Sequence, residues 1–214
     1  MAIRDEFNCY GYFYNIEKKG EIVGECRNIL EIVRKSNSLN EKVDAIAIMM
    51  NPGKSTPIGG QSKVINDIKD LGSSENQLVL TNPDETQTRI MGVMNEMQWN
   101  RVRVLNLSDL REKDHNKLKK KIEHFEDSLG DIHSIFSKER KDELNNFLIK
   151  EKVPLILAWG TERYLLNIAE TCLNIIKDKR SVGVSSSQEE KFFLHPLATN
   201  LSWKNEILKQ LENI

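Results

Sequence analysis

The chain has 214 residues, of which 39% are apolar, 29% charged and 7% aromatic, and its 31 basic and 32 acidic residues leave a formal net charge of −1. That length can bury one sizeable core, so a single domain over 1–214 is expected, and the balanced charge disfavours a disordered polyion, a histone-like wrapper or a globally basic nucleic-acid coat. No run of about 18 apolar residues occurs, which excludes a spanning helix, and the polar start Met1-Ala2-Ile3-Arg4-Asp5-Glu6 lacks the basic-then-apolar pattern of a signal peptide.

Three widely spaced cysteines, Cys9, Cys26 and Cys172, give neither a disulfide framework nor a CxxC metal pair. No HExxH motif or comparable ligand cluster supports a metal, and no cofactor is expected. A soluble, cytoplasmic protein with no membrane partner is expected, as a monomer.

In chain order, the aromatic-rich Phe7–Tyr14 suits a strand, Lys18-Lys19-Gly20 a turn, and Glu21–Gly24 a second strand. Cys26 to Val33 is compatible with a helix or with a buried strand. These elements make residues 1–43 an N-terminal antiparallel addition. The continuous apolar run Ala45-Ile46-Ala47-Ile48-Met49-Met50 predicts a strand buried on both faces, as in a parallel sheet covered by helices.

Val64, Ile65, Ile68 and Leu71 recur at helical spacing, as do Ile90, Met91 and Met94. Val102–Leu105, ending at Asn106, and Pro154–Trp159, ending at Gly160, read as further strands. Thr161 can cap a helix carrying Leu165, Ile168, Ala169, Cys172 and Ile176. Phe192-Phe193-Leu194 reads as a fourth short strand ending at His195-Pro196, and Ser202 opens a last helix through Ile207, Leu208 and Leu211. Alternating strands and helices predict an α/β three-layer sandwich with a mainly parallel central sheet over residues 44–214.

The unusual residues fall at one place in this pattern. Asn51, Asn106, Gly160 and His195 each follow the C-terminal end of a predicted strand, the edge where open α/β sheets bind ligands. Asn51-Pro52-Gly53-Lys54-Ser55-Thr56 combines a proline-fixed φ, a permissive glycine, a lysine and two hydroxyls. Such a loop can hold Asn51 rigidly at a pocket floor and offer donors to a phosphate, or be a plain turn with a helix cap. It lacks the GxxxxGK[ST] spacing of a P-loop.

His195, placed before proline at a strand end, can act as a neutral donor to an oxyanion or serve the structure alone. The other histidines, His115, His124 and His133, lie in a charge-rich stretch and are expected to be solvated. The basic run Arg111 to Lys121 could line a DNA channel, but a solvated helix face is the usual reason for such a run, and the acids after it (Glu123, Glu126, Asp127, Asp131) favour that explanation.

Taken in order, these segments resemble the uracil-DNA glycosylase superfamily. Ile48-Met49-Met50-Asn51-Pro52-Gly53-Lys54-Ser55 is similar to the first motif of its mismatch-specific and single-strand-selective monofunctional branches. His195-Pro196-Leu197-Ala198-Thr199-Asn200 resembles the His-Pro-Ser-Pro segment, with the serine and second proline replaced. Leu105-Asn106 and Leu157-Ala158-Trp159-Gly160-Thr161 match two further landmarks. The whole pattern is also similar to a bacterial family with Asn-Pro, Asp-x-Thr, Asn-Leu, Ala-Trp-Gly and His-Pro-Leu landmarks, Asp84-Glu85-Thr86 being the Asp-x-Thr. The resemblance runs from about Asp44 to Trp203 as short motifs in order.

What it implies is a glycosylase-like core and hydrolysis of the N-glycosidic bond of a pyrimidine flipped out of DNA, single- or double-stranded. Asn51 would hold the water, His195 would stabilise the carbonyl oxygen of the departing base, and Asn106, with Met50 and Gly53, would bind the base. Lys54, Ser55, Thr56, Gly160, Thr161 and Leu197 would meet DNA or its phosphates. The small residues behind Asn51, with no aromatic before Ser62, leave room for a 5-substituted pyrimidine, which would suit a role against foreign phage DNA. Two other readings share the fold: a module that binds a nucleotide or modified base without cleaving it, and a hydrolase of free nucleosides or nucleotides.

Overall fold

The computed structural model describes residues 2–60, 62–71, 77–198 and 203–214. Strands β1 (Phe7–Lys18) and β2 (Glu21–Arg34) form a long hairpin. Lys19 and Gly20 close it with φ of 54° and 83°, the two left-handed residues that match a tight turn to the twist of its strands. Glu21–Gly24 and the ambiguous stretch after it are thus one strand, because both edges of β2 find partners.

The pairing of this hairpin shifts register twice, once near its turn between Ile16 and Glu17 and once near its middle. Gly11 pairs with Leu30 and Phe13 with Arg27, so Asn28 and Ile29 face Tyr12 alone. This bulge reverses the inward–outward alternation of β2 on its N-terminal side.

The remaining strands are β3 (Ala45–Met49), β4 (Lys63–Ile65), β5 (Val79–Thr81), β6 (Arg101–Asn106), β7 (Leu155–Ala158) and β8 (Ser181–Gly183). They build one sheet in the order β4-β1-β2-β6-β3-β7-β8, with β5 also on β1. β6, β3, β7 and β8 run parallel, and the hairpin adds to them through an antiparallel β2–β6 ladder. The sheet is therefore mixed, with a parallel centre and an antiparallel N-terminal addition.

β3 is buried throughout. Ile46 and Ile48 enter one core with Leu118, Ile122 and Phe125 of α2 (His115–Leu129), Leu144 of α3 (Lys141–Leu144), Leu148 of the π-turn after it, and Cys172 of α4 (Leu166–Ile176). Ala45, Ala47 and Met49 enter the other core with Ile90 and Met94 of α1 (Glu85–Glu96) and Ile207 and Leu211 of α5 (Trp203–Leu211). Helices thus cover both faces of the sheet. Truncating Ile48 to alanine removes buried aliphatic volume worth about 2–5 kcal/mol.

Several expectations differ from what the structure holds. Val64, Ile65, Ile68 and Leu71 form no α-helix: β4 pairs with β1, and a 3-10 turn over Ile68–Leu71 follows. Phe192-Phe193-Leu194 is no strand, since Phe193 makes only single bridges to Gly160 and Ser185. The fourth parallel strand is β8, whose Ser-Val-Gly sequence is too short and polar to announce itself. Thr161 does not cap α4, because a 3-10 turn over Arg163–Leu165 precedes that helix. His133 is fully buried between Ser108 (2.9 Å) and Glu126 (3.0 Å), whereas His115 and His124 are exposed. The expected cap Ser202, with Thr199 and Asn200 of the His-Pro segment, lies outside the described residues.

Candidate functional site

From β3 the chain crosses over one face of the sheet, through α1, to β6 on one side. From β6 it crosses the other face, through α2 to α3, to β7 on the opposite side of β3. Such a reversal leaves a crevice beyond the strand ends, where α/β folds bind ligands. A cavity of about 570 Å³ opens there. Met50, Asn51, Gly53 and Lys54 beyond β3, Asn106 ending β6, and Gly160 and Thr161 beyond β7 line it, together with His195 and Leu197.

The strand ladder runs on past β3: Leu107 N–H donates to Met49 O (2.8 Å) and Ser108 N–H to Met50 O (3.0 Å). Asn51 is then fixed by its own amide, whose Nδ2 donates to Leu110 O (3.0 Å) and Glu112 O (2.6 Å). Both amide hydrogens are spent, so Oδ1 is left as an acceptor, and no described residue donates to it. Gly53 follows with a φ of 61°, which disfavours any larger residue there although a Cβ would meet nothing within 4 Å.

Ser55 and Thr56 leave this group. Ser55 Oγ lies 3.1 Å from Thr81 Oγ1, which donates to Thr56 O at 2.8 Å, so both residues tie the loop to β5 and neither lines the cavity. Lys54 is exposed but does line it.

Asn106 is 1% exposed, and neither its Oδ1 nor its Nδ2 has a hydrogen-bond partner. A buried amide left so is costly, on the order of 1–3 kcal/mol, and native proteins rarely keep one without a reason.

His195 is half-buried, and its Nδ1 accepts from Leu197 N–H at 3.3 Å. The neutral ring therefore carries its hydrogen on Nε2, which no described residue engages. Burial lowers its pKa below the ordinary 6.5; the Asp84 carboxylate pulls it back up and His115 pushes it further down. At neutral pH it is an uncharged donor.

The loop bearing His195 is clamped to the end of β7, which does the work expected of a strand. Gly160, at a φ of 85°, donates to Phe193 O at 2.7 Å. Trp159 Nε1 donates to Lys191 O at 3.0 Å, and its ring meets Phe193 edge-on at 5.0 Å.

The sequence singled out no role for several lining residues. Arg27 of β2 stands in the wall, turned there by the bulge. Asp84 caps α1: its Oδ1 accepts from Gln87 N–H (3.0 Å) while Gln87 Oε1 accepts from Asp84 N–H (2.5 Å). Glu85, Glu112, Glu162, Lys54 and Lys113 also line the cavity, with His115 held to Glu162 at 3.0 Å. The Asp-x-Thr landmark is the signal for Asp84 and Glu85; for Arg27 the sequence carries none. Among the described residues, no group of three or more His, Cys, Asp or Glu side chains is placed to hold a metal ion, and no helix is long and apolar enough to cross a membrane.

Fold and cavity together define an α/β protein with a crevice at the turning point of its sheet. Residues 73–197 match the model of a family described as "Protein of unknown function (DUF1643)", and the chain belongs to that family. The match takes in Asp84, Asn106, Gly160 and His195, while Arg27 and Asn51 come before it. Comparison with curated proteins and with solved structures gives no match.

Proposed function

We propose that this cavity takes a pyrimidine base flipped out of DNA and that the chain hydrolyses its N-glycosidic bond, as a monofunctional DNA glycosylase resembling the uracil-DNA glycosylase superfamily. The observation that carries the reading is the arrival of Asn51, Asn106 and His195 at one cavity, each with a different unspent hydrogen-bonding capacity. Glycosidic cleavage develops positive charge on the sugar and negative charge on the leaving base. Asn51 Oδ1 is an acceptor fit to orient a water, Asn106 offers a donor and an acceptor to a base edge, and His195 Nε2–H suits an oxygen that gains charge. Asparagine is no general base, so such an enzyme is slow.

A 5-substituted pyrimidine, as in modified phage DNA, is the preferred substrate in this reading. Space for the substituent comes from Gly53, beside which a Cβ meets nothing. Oligonucleotides carrying a panel of bases, incubated with the protein and then treated with alkali, report every abasic site. Strand breaks at 5-substituted uracil or cytosine are expected. Breaks at plain uracil alone sink the preference for a substituent, and an intact panel sinks the glycosylase.

The acids at the lining favour a second reading. Asp84, Glu85, Glu112 and Glu162 repel a polyanion more than a free nucleoside, and the chain as a whole is near neutral. In that reading the cavity binds, or hydrolyses, a free nucleoside or nucleotide; release of base from nucleosides but not from oligonucleotides would mark the hydrolase.

A further inference from the structure

Four arginines are buried in the described structure around the hairpin and its neighbours, and three of them end on carboxylates. Arg101 Nε meets Glu31 at 3.0 Å and Arg103 Nε meets it at 2.6 Å, while Arg140 meets Asp109 at 2.7 Å and Glu143 at 2.8 Å. Arg27 is the exception. It is 1% exposed, and its Nε and Nη1 have no hydrogen-bond partner. Burial brings its pKa down to about 10, with Asp84 and Asp109 countering only through space.

The fold makes room for this awkward side chain. The bulge opposite Tyr12 swings residue 27 to the face of Gly11 and Leu30. A Cβ on Gly11 would lie 3.3 Å from Arg27 Cδ and 2.8 Å from the Phe13 ring, so glycine keeps a channel for the arginine stem. Arg27 lines the same cavity as Asn106, whose amide is likewise without a partner. An uncompensated buried cation is expensive, and a structural one would be expected to find a carboxylate as the other three do.

We infer that Arg27 is a ligand-reading residue of this cavity, and that the ligand carries an anionic oxygen which the unspent N–H groups of Arg27 receive while Asn106 reads its base edge. Charge-assisted bonds to a buried cation are the strong kind, so Arg27 selects for charge as well as for shape. Two sources supply that oxygen: the phosphate of a nucleotide, or a carboxylate attached to the base. The inference rests on the cavity as the ligand site, and it holds for a binder as well as for an enzyme.

Calorimetry on the whole chain with two pairs of free probes tests it: deoxyuridine against its 5′-monophosphate, and 5-methyldeoxycytidine against 5-carboxydeoxycytidine. The anionic member of one pair is expected to bind about ten-fold tighter or better, and which pair does so identifies the source. Arg27→Gln should reduce that preference to within about three-fold. No preference in either pair, no binding of any probe, or a preference that survives Arg27→Gln overturns the inference. Should Arg27→Gln fail to fold, Arg27→Lys, which keeps the charge, is expected to retain a weakened preference, and the wild-type panel alone still decides. An intact oligonucleotide panel beside a clear anion preference refutes cleavage and leaves the reader standing; cleavage without the preference does the opposite.

Discussion

Asn51 and Asn106 stand at the ends of adjacent parallel strands, Asn106 level with Met49 and Asn51 just beyond β3, and their amides are held in opposite ways. Asn51 spends both hydrogens on the carbonyls of Leu110 and Glu112; Asn106 spends nothing. One is a fixed acceptor whose orientation the backbone dictates. The other is an open reader whose orientation a ligand can choose.

That difference predicts the outcome of Asn51→Asp, the substitution that would seem to supply a general base. A carboxylate at residue 51 would face two carbonyl oxygens with no hydrogen to give either. We expect a loss of about 1–3 kcal/mol in urea unfolding and no gain in base release. A variant both as stable as wild type and faster would show that the Asn51 amide does not donate to those two carbonyls.

Asn106→Leu should behave in the reverse sense. Replacing an unpartnered amide with an apolar group of similar volume removes a desolvation cost, so stability is expected to hold or to rise by about 1–2 kcal/mol. Base release, or probe binding, should fall by about ten-fold or more, the scale of one lost hydrogen-bonded reader. A large drop in unfolding free energy would mean that the folded protein bonds this amide internally.

How far the sequence foretells this depends on the kind of signal. The run Ala45–Met49 announces its strand because both its faces are buried, and the punctuation after it places Asn51 at the crevice correctly. β8 escapes notice because a three-residue strand between helices has no periodicity to read. His133 misleads because the stretch before it is rich in charge, whereas the fold encloses its ring among Ser108, Glu126 and the Phe125 ring. Arg27 is invisible for a deeper reason: only the bulge aims it at the cavity, and a bulge is a property of two strands together.

Arg140 supports the site from behind. It joins Asp109, Glu143 and Asn28, and Asp109 also accepts from Tyr14 Oη–H at 2.8 Å while its backbone carbonyl receives Arg27 N–H at 2.9 Å. Burial pushes the Asp109 carboxyl up to about 7, against the pull of Arg140 and Tyr14. An acid raised above its ordinary 3.8 holds its proton in the folded state, so the fold loses stability as pH rises through that interval. Without Arg140 the interval extends upward. Arg140→Met is therefore expected to cost about 3–5 kcal/mol, more at about pH 8 than at about pH 6, in urea titrations at the two values. A cost independent of pH would assign the loss to packing alone.

His195 gives the last prediction, and its sign differs. Burial lowers its pKa below 6.5, so between that value and the folded one the unfolded chain binds more protons than the folded one. Stability contributed at neutral pH is lost as pH falls below about 6.5, and His195→Ala should abolish that part of the acid sensitivity while leaving the protein folded. Asp84 pulls the ring's pKa upward, so Asp84→Asn, which retains a capping side chain for α1, should lower it further. An NMR titration of the His195 ring in both proteins measures this directly; a wild-type value above 6.5, or an upward shift in Asp84→Asn, contradicts the neutral donor. Under single-turnover conditions His195→Ala should slow base release about 10²–10³-fold, the scale of one oxyanion donor lost. Because Nε2–H is present in both the neutral and the charged ring, wild-type base release should not fall on the acid side of the His195 titration, and a rate that collapses there would require a different role for this residue.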